Sequence, residues 1–389
     1  RMNPFILHKD DEFDTHLVIF SALNTPKGKF TLYKILSSFP GKKTFINIDR
    51  NHWYQHNIPS MGSSLEDSVD AIKSITKKKN TIYIGSSMGG TGAALYGIKN
   101  KAKHVICFGA EYVLQLPFSR SKLHMPEDIK VKYHDLTNLF SNATDTTFYI
   151  FSGELDIIDL YNASLLPYTL ENIHIIIIKN TGHNVTKSIH ENFIKIDKFI
   201  ETVIKNDNEA TKIFHCEYSG KDYFSKYNIH EIYNAYVLIR NRKYDQAIEV
   251  LDSVKHNNIT NPLYNLYYGM ALTRQKKPAA ALPFLTRSVK IAKNRDTYFE
   301  LGIALNHVNK FDEAINNYKC CINEDPNYAP AYHHIGLIFE KVKDYKTSEL
   351  YLKKAYSIKP DNLRYKNDLI RVLDIIYKSY SELIKELKN

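Results

Sequence analysis

The spacing of hydrophobic residues changes along the chain. Up to about residue 200, short apolar runs rich in β-branched residues alternate with stretches in which apolar residues recur every three or four positions. The runs predict six strands, at Leu17–Phe20, Thr44–Ile48, Thr81–Ile84, His104–Phe108, Thr147–Phe151 and Ile173–Ile178. The helical stretches predict helices at 65–75, 93–98 and 189–204. This alternation favours an α/β domain with a mostly parallel sheet flanked by helices.

From about residue 228 the strand pattern ends and a helical repeat of 33 or 34 residues begins. Two series of small residues fall in register: Ala235, Gly269, Gly302 and Gly336, then Ala247, Ala281, Ala314 and Ser348. Small residues let two helices approach closely, and Pro326 and Pro360 end the last two repeats. The pattern resembles the tetratricopeptide repeat and is hard to reconcile with an ordinary helical bundle. The resemblance implies an all-α solenoid of about four repeats, a capping helix from Asp361 onward, and a protein or polymer partner.

The two patterns predict two domains. The first spans residues 1–210 and the second spans 211–389, with a polar stretch at 206–219 between them. A long connection at about 110–142 separates the fourth and fifth predicted strands. We expect this insertion to lie over the end of the sheet as a small lid.

Composition and charge narrow the functional classes. The net charge of +10 favours a polyanionic ligand, but the basic residues are scattered and the tight run Lys77–Lys79 precedes a predicted strand. No zinc-finger or RNA-binding signature accompanies it, so no nucleic-acid partner is predicted. The four cysteines have neither metal-ligand nor disulfide-framework spacing, so no metal site is predicted. Because the apolar runs are too short to cross a bilayer, we expect no membrane span and a cytoplasmic location.

One motif predicts a serine nucleophile. Gly85-Ser86-Ser87-Met88-Gly89 joins a predicted strand to a predicted helix. A nucleophile on such a sharp turn has a strained backbone, and the glycines two positions before and after Ser87 avoid clashes. The helix N-terminus then points backbone N–H groups, first that of Met88, at a developing oxyanion. A structural glycine turn or a phosphate loop is the alternative, but no Gly-Lys-Ser/Thr ending is present.

A serine nucleophile needs a histidine base, and the histidine needs an acid to orient it. The loop after the strand at 147–151 contains Asp156, which we predict to be the acid, with Glu154 and Asp159 as alternatives. His183 follows the last predicted strand in a Gly-His step and is predicted to be the base. The order serine, aspartate, histidine, each at the end of a strand, is hard to explain as a structural accident.

These features resemble the α/β-hydrolase superfamily over about residues 15–203. The resemblance implies that Ser87, Asp156 and His183 form a catalytic triad. It also implies that the loop after the first strand supplies a second oxyanion donor, Ala22 or Leu23. That loop lacks the His-Gly-Gly-Gly sequence of lipases.

The triad defines acyl transfer through a seryl ester, but it leaves the acceptor open. The segment at 45–55 and the Gly-Ser-Ser-Met-Gly-Gly motif resemble compact α/β-hydrolase-like proteins of bacterial surface-polysaccharide synthesis. Some of those proteins are capsule O-acetyltransferases that use acetyl-CoA. The resemblance implies acetyl-CoA as the acyl donor, a carbohydrate hydroxyl as the acceptor, and no tightly bound cofactor.

Five consecutive residues are candidates for substrate binding. Trp53 and Tyr54 suit stacking on a sugar ring, or else they pack in the core, and Asn51, His52 and Gln55 can donate hydrogen bonds. The predicted function is therefore O-acetyl transfer to a carbohydrate. An esterase or deacetylase that acts on a small ester with the same triad is the alternative. A non-catalytic, hydrolase-like accessory or scaffold protein is a second alternative.

Overall fold

The computed structural model describes residues 3–9, 14–76 and 80–388. The chain divides into two compact units, Arg1–Tyr233 and Asn234–Asn389. The basic run Lys77–Lys79 lies outside the described residues. No described helix is long and apolar enough to cross a membrane.

The first unit contains an eight-stranded sheet within the described residues. Its strands are β1 (Ile6–Lys9), β2 (Thr15–Phe20), β3 (Lys42–Ile46), β4 (Asn80–Ser86), β5 (His104–Phe108), β6 (Thr147–Gly153), β7 (Ile173–Ile178) and β8 (Tyr218–Ser219). They lie in the order β1-β3-β2-β4-β5-β6-β7-β8. The two outer pairs are antiparallel and all others are parallel. The mostly parallel sheet is therefore confirmed.

All six predicted strands form, and the two edge strands were not predicted. The central strands are buried on both faces, as β2 shows with every residue buried, so they appear in the sequence as continuous apolar runs. β1 and β8 are only four and two residues long, and neither is a continuous apolar run. Without such a run, hydrophobic periodicity gives no signal for an edge strand.

Helices α1 to α10 belong to the first unit. They are α1 (Tyr33–Leu36), α2 (Leu65–Ile75), α3 (Met88–Lys99), α4 (Arg120–His124), α5 (Thr137–Ser141), α6 (Ile157–Ser164), α7 (Val185–Asn192), α8 (Ile196–Lys205), α9 (Asp207–Lys212) and α10 (Gly220–Lys226). The single helix predicted at 189–204 is instead α7 and α8. The backbone leaves helical angles at Phe193 (φ −121°, ψ −68°). The apolar period continues across this break, and for that reason the pattern indicated one helix.

The first unit extends beyond the boundary predicted at residue 210. β8 pairs with the edge of the sheet through Ile177 and Tyr218. α10 follows directly and packs so closely on β7 that a Cβ at Gly220 would lie 2.5 Å from Ile175 Cβ. These contacts explain why the first compact unit continues to Tyr233.

The rest of the chain is helical. The helices are α11 (Ile229–Arg240), which crosses the unit boundary, and α12 (Tyr244–Ser253), α13 (Lys255–Asn258), α14 (Pro262–Arg274), α15 (Pro278–Ile291), α16 (Arg295–His307), α17 (Phe311–Glu324), α18 (Ala329–Lys341), α19 (Tyr345–Ile358) and α20 (Leu363–Lys388). α14 packs on α15, α16 on α17, and α18 on α19. Each pair is joined by a three-residue connector whose middle residue has a positive φ, at Lys276, Asn309 and Lys343. The connector from α11 to α12 has the same feature at Arg242.

The registered small residues lie where the helices of a pair touch. A Cβ added at Gly269 would lie 2.4 Å from Leu285, and one at Gly336 would lie 2.7 Å from Leu352. The second small series is fully buried: Ala247, Ala281, Ala314 and Ser348. The 33- or 34-residue period therefore reflects close helix pairing, as predicted.

Candidate active site

Ser87 lies on the turn between β4 and α3, with φ 54° and ψ −127°. A Cβ at Gly85 would lie 2.0 Å from the carbonyl oxygen of Gly89, and a Cβ at Gly89 would lie 2.3 Å from that of Phe20. No real Cβ approaches so closely, so the turn requires glycine at both positions. The strand, strained serine and helix expected of the motif are all present.

The imidazole of His183 is hydrogen-bonded to Asp159. The distance from Nδ1 to Asp159 Oδ2 is 2.7 Å, and the Asp159 side chain is fully buried. The prediction gave this position to Asp156. In the structure Asp156 is the N-cap of α6, and its Oδ1 accepts a hydrogen bond from the N–H of Asp159 at 3.0 Å. A capping carboxylate is directed toward its own helix, so the next acid along the first turn reaches the histidine.

An arginine that was not predicted from the sequence binds both carboxylates of the acidic cluster. Arg120 donates to Asp159 Oδ1 at 3.0 Å and also to Asp156 Oδ2. It comes from α4, inside the insertion that was predicted to be a lid. The buried carboxylate of Glu111 fixes this segment by accepting from the N–H of Arg120 at 2.8 Å. No motif could reveal the contact, because Arg120 precedes Asp156 by 36 residues.

Burial and charge set the protonation of this cluster. Burial and repulsion from Asp156 raise the pKa of Asp159, although His183 and Arg120 oppose the rise. Burial would also raise the pKa of Asp156, but Arg120 and His183 hold it below its ordinary value. Burial lowers the pKa of His183, and Asp159 outweighs that effect, so the net shift is upward. The imidazolium form of His183 is thus stabilised by its partner.

The backbone brings the Ser87 turn beside this pair. The N–H of Ser87 donates to the carbonyl oxygen of Phe108 at 2.8 Å. The next residue, Gly109, is so close to the pair that an added Cβ would lie 2.8 Å from Asp159 Oδ2 and 3.1 Å from His183 Nδ1. Phe108, the last residue of β5, and the following Gly109 therefore lie between the serine backbone and the Asp–His pair.

A second link joins the serine turn to the histidine loop. Thr186, three residues after His183, donates to the hydroxyl of Ser86 at 3.1 Å. In the described residues, no hydrogen bond joins Ser87 Oγ to His183. Catalytic hydrogen bonds are often long without substrate and tighten when it binds.

Among the described residues, two of the three predicted oxyanion donors have N–H groups without a hydrogen-bond partner. The N–H of Ala22 donates to Thr31 Oγ1 at 2.9 Å, so it is already engaged. In the described residues, the N–H groups of Met88 and Leu23 have no hydrogen-bond partner. Met88 is the first residue of α3, and the N–H groups of the first helical turn have no partner within the helix. Met88 and Leu23 therefore remain predicted donors, whereas the N–H of Ala22 is already used by Thr31.

Four of the five predicted substrate-binding residues are buried. Trp53 is 1% exposed, Tyr54 0%, His52 3% and Gln55 2%. The hydroxyl of Tyr54 donates to the carbonyl oxygen of Ser21 at 2.9 Å. Burial also lowers the pKa of His52 to about 4. Stacking of Trp53 or Tyr54 on a sugar is therefore excluded in this conformation, because both aromatic rings pack in the core.

Asn51 is the exception. It is partly exposed and exchanges hydrogen bonds with Asn24, whose side-chain oxygen accepts at 2.7 Å. Both residues line a cleft of about 280 Å³ that also contains Lys27, Arg50 and Met88. The cleft thus adjoins Met88, the first predicted oxyanion donor, and is rich in amide and charged groups.

The acidic cluster contains three possible metal ligands, but an arginine already supplies positive charge there. One ligand atom each from Asp156, Asp159 and His183 lies within 4.8 Å of the others. Arg120 bonds to both carboxylates and already supplies the positive charge. This arrangement favours an orienting role for Asp159 over metal binding.

Comparison with known proteins identifies the repeat region. A family model described as tetratricopeptide repeat matches residues 329–362, which contain α18 and α19. The chain is similar to YrrB, "a TPR protein with an unusual peptide-binding site", at 21% identity, 47% coverage of this chain, 95% of that chain and a TM-score of 0.34. It is also similar to MamA from Desulfovibrio magneticus, at 18% identity, 43% and 93% coverage and a TM-score of 0.33. No curated protein matches the chain. The predicted tetratricopeptide repeat is confirmed.

Proposed function

We propose that the first unit is a serine acyl-transfer enzyme of the α/β-hydrolase type. Ser87 is the nucleophile, His183 the general base, and Asp159 the acid that orients it. The observation that carries the proposal is the 2.7 Å hydrogen bond from His183 to the buried Asp159, beside the strained Ser87 turn. The order of the three residues along the chain and the parallel sheet beneath them also support this type of fold.

The geometry supports a two-step reaction. Ser87 Oγ attacks the ester or thioester carbonyl carbon and gives its proton to His183 Nε2. The N–H groups of Met88 and Leu23 donate to the resulting oxyanion. The intermediate then releases the alcohol or thiol, which takes the proton from His183 and leaves an acyl-serine. An acceptor hydroxyl attacks the acyl-serine by the reverse sequence of proton transfers.

We propose a carbohydrate hydroxyl as the acceptor and acetyl-CoA as the donor. The support is the polar cleft beside Met88, where the side-chain amides of Asn24 and Asn51 line a space that a polyhydroxyl ligand could occupy. The buried Trp53 and Tyr54 contribute nothing to this proposal. For the repeat domain we propose a protein or polymer partner, because stacked helix pairs present an extended binding surface.

Intact-mass spectrometry tests both parts. The protein is mixed with p-nitrophenyl acetate or acetyl-CoA, and then with polysaccharide acceptors or buffer alone. We expect one added acetyl group on the wild type and none on Ser87→Ala, followed by transfer to a glycan. Loss of the acetyl group to water at the same rate with or without glycan would assign the protein as an esterase or deacetylase. No acetylation with either donor would contradict the enzyme proposal and favour a scaffold.

A further inference from the structure

The exposed hydrophobic side chains of the chain are concentrated on one helix. Of the 15 large hydrophobic residues that are exposed among the described residues, eight lie on α20. Their exposed fractions range from 40% to 78%. They are Leu363, Ile370, Leu373, Tyr377, Tyr380, Leu383, Ile384 and Leu387. Exposed apolar residues concentrated on one helix in this way mark an interaction site.

Seven of these eight residues, all except Leu383, have the spacing of a coiled-coil seam. In a heptad that starts at Leu363, positions a and d contain seven apolar residues and one lysine over three and a half heptads. Position a holds Leu363, Ile370, Tyr377 and Ile384, and position d holds Lys366, Leu373, Tyr380 and Leu387. A sustained period of 3.5 residues is the pattern of left-handed helix pairing. We call these eight positions the a/d stripe.

The a/d stripe is not the face that caps the repeats. The buried residues of α20 are Tyr365, Asp368 and Val372, at positions c and f of the same heptad. Asp368 accepts a hydrogen bond from the ring of His333 of α18 at 2.7 Å. α20 therefore uses one side to close the solenoid and leaves the other side uncovered in the described chain.

We propose that α20 pairs with α20 of a second copy of this chain, as an antiparallel coiled coil. A second copy has the same heptad period and the same helix length, which is the condition for two seams to interlock. The proposal also has support from charge. Apart from Lys366, every charge from 363 to 388 lies outside the stripe, and the segment from 370 to 388 contains four basic and three acidic residues. The helices can therefore approach without strong repulsion, although the whole chain has a net charge of +10.

Lys366 sets the orientation. A parallel pair in register places Lys366 against the same lysine of the other copy, which is unfavourable in a dry seam. An antiparallel pair can match 370 with 387, 373 with 384, and 377 with 380 of the other copy. This register forms six apolar layers and leaves Lys366 beyond the last of them.

The size of the seam predicts a weak dimer. Six layers between residues 370 and 387 extend about 26 Å along the helix, at 1.5 Å per residue. That contact is small compared with the roughly 1,200–2,000 Å² of a standard stable interface. We therefore expect a dimer that dissociates reversibly in the micromolar range.

Sedimentation equilibrium of the full chain tests the proposal. The wild type should be a dimer that dissociates on dilution, and the double variant Tyr377→Glu, Ile384→Glu should be a monomer at every concentration. The matched control Lys378→Glu, Lys385→Glu changes the same turns outside the stripe and should remain a dimer. All four sites are exposed, so circular dichroism should show unchanged folding.

A wild type that stays monomeric at the highest concentration would overturn the proposal, as would a dimer of the stripe variant. Monomeric wild type that binds phospholipid vesicles through α20 would instead assign the stripe to a membrane surface. Cysteine cross-linking in a Cys216→Ser background tests the orientation. Ile370→Cys with Leu387→Cys should cross-link and Ile370→Cys alone should not. Efficient cross-linking of Ile370→Cys alone would contradict the antiparallel arrangement.

Discussion

The two carboxylates beside His183 can be distinguished by one pair of isosteric substitutions. Asp159→Asn removes the charge that lies 2.7 Å from His183 Nδ1, whereas Asp156→Asn removes a charge that faces Arg120. The Asp156 substitution keeps a good N-cap, since asparagine caps helices as well as aspartate does. If Asp159 is the orienting acid, only its substitution should strongly impair the chemistry.

The structure sets the expected size of the effect. With charge centres about 4 Å apart and an effective dielectric constant of about 20, loss of the Asp159 charge removes about 4 kcal/mol of stabilisation from the imidazolium. That energy corresponds to about 10³-fold in kcat, and the wrong histidine tautomer can extend the loss to about 10⁴-fold. Asp156→Asn should cost less than about 10-fold, because the Asp159–His183 hydrogen bond remains.

Steady-state hydrolysis of p-nitrophenyl acetate measures both variants against the wild type. Thermal unfolding serves as the control that each variant is folded. Glu154→Gln offers a further comparison, because this carboxylate accepts from the N–H of Asn180 and not from His183. A larger loss for Asp156→Asn than for Asp159→Asn, in folded proteins, would refute the assignment of the acid.

Three further predictions follow from pKa shifts, backbone strain and the unit boundary. Asp159 raises the pKa of His183, and the base must be neutral, so kcat/KM should fall with decreasing pH around a pKa above 6.5. Arg120→Gln should move this acidic limb of the pH profile to still higher pH, because Arg120 opposes the protonation of His183. An acidic limb with a pKa below 6.5 would contradict this. Lys276→Gly should raise the free energy of unfolding by up to about 1 kcal/mol in urea titrations, because Lys276 has a positive φ. Asn309→Gly should change it less, because asparagine tolerates a positive φ. A destabilised Lys276→Gly protein would be inconsistent with backbone strain at Lys276. A chain that ends at Arg240 retains β8 and α10, so it should hydrolyse p-nitrophenyl acetate at the wild-type rate. A folded but inactive truncated protein would mean that the repeats complete the active site.

The sequence predicted the elements that have a strong local signal. Apolar runs identified the six inner strands, and the Gly-x-Ser-x-Gly motif identified the Ser87 turn, because only glycine fits at Gly85 and Gly89. The helix repeat was equally clear, since the close contact at Gly302, where a Cβ would lie 2.6 Å from Tyr318, recurs at one period. In each case the residue type is dictated by a contact within a short stretch or by a repeat.

The predictions were less successful where tertiary contacts decide. Asp156 and Asp159 lie on the same turn of α6, and only the three-dimensional direction of the cap shows which one reaches His183. Arg120 comes from a distant insertion and no local pattern marks it. Trp53 illustrates the opposite problem, because an aromatic residue after a strand can pack inward or face a ligand, and burial resolves the choice.

The central claim is that Ser87 is an activated nucleophile, and fluorophosphonate labelling with peptide mapping tests it most directly. The reagent reacts only with a serine whose hydroxyl is activated by a base. We predict a single adduct on Ser87, no adduct in Ser87→Ala or His183→Ala, and normal labelling in the neighbouring variant Ser86→Ala. Absence of labelling in the folded wild type, or an adduct that persists in Ser87→Ala, would contradict the account.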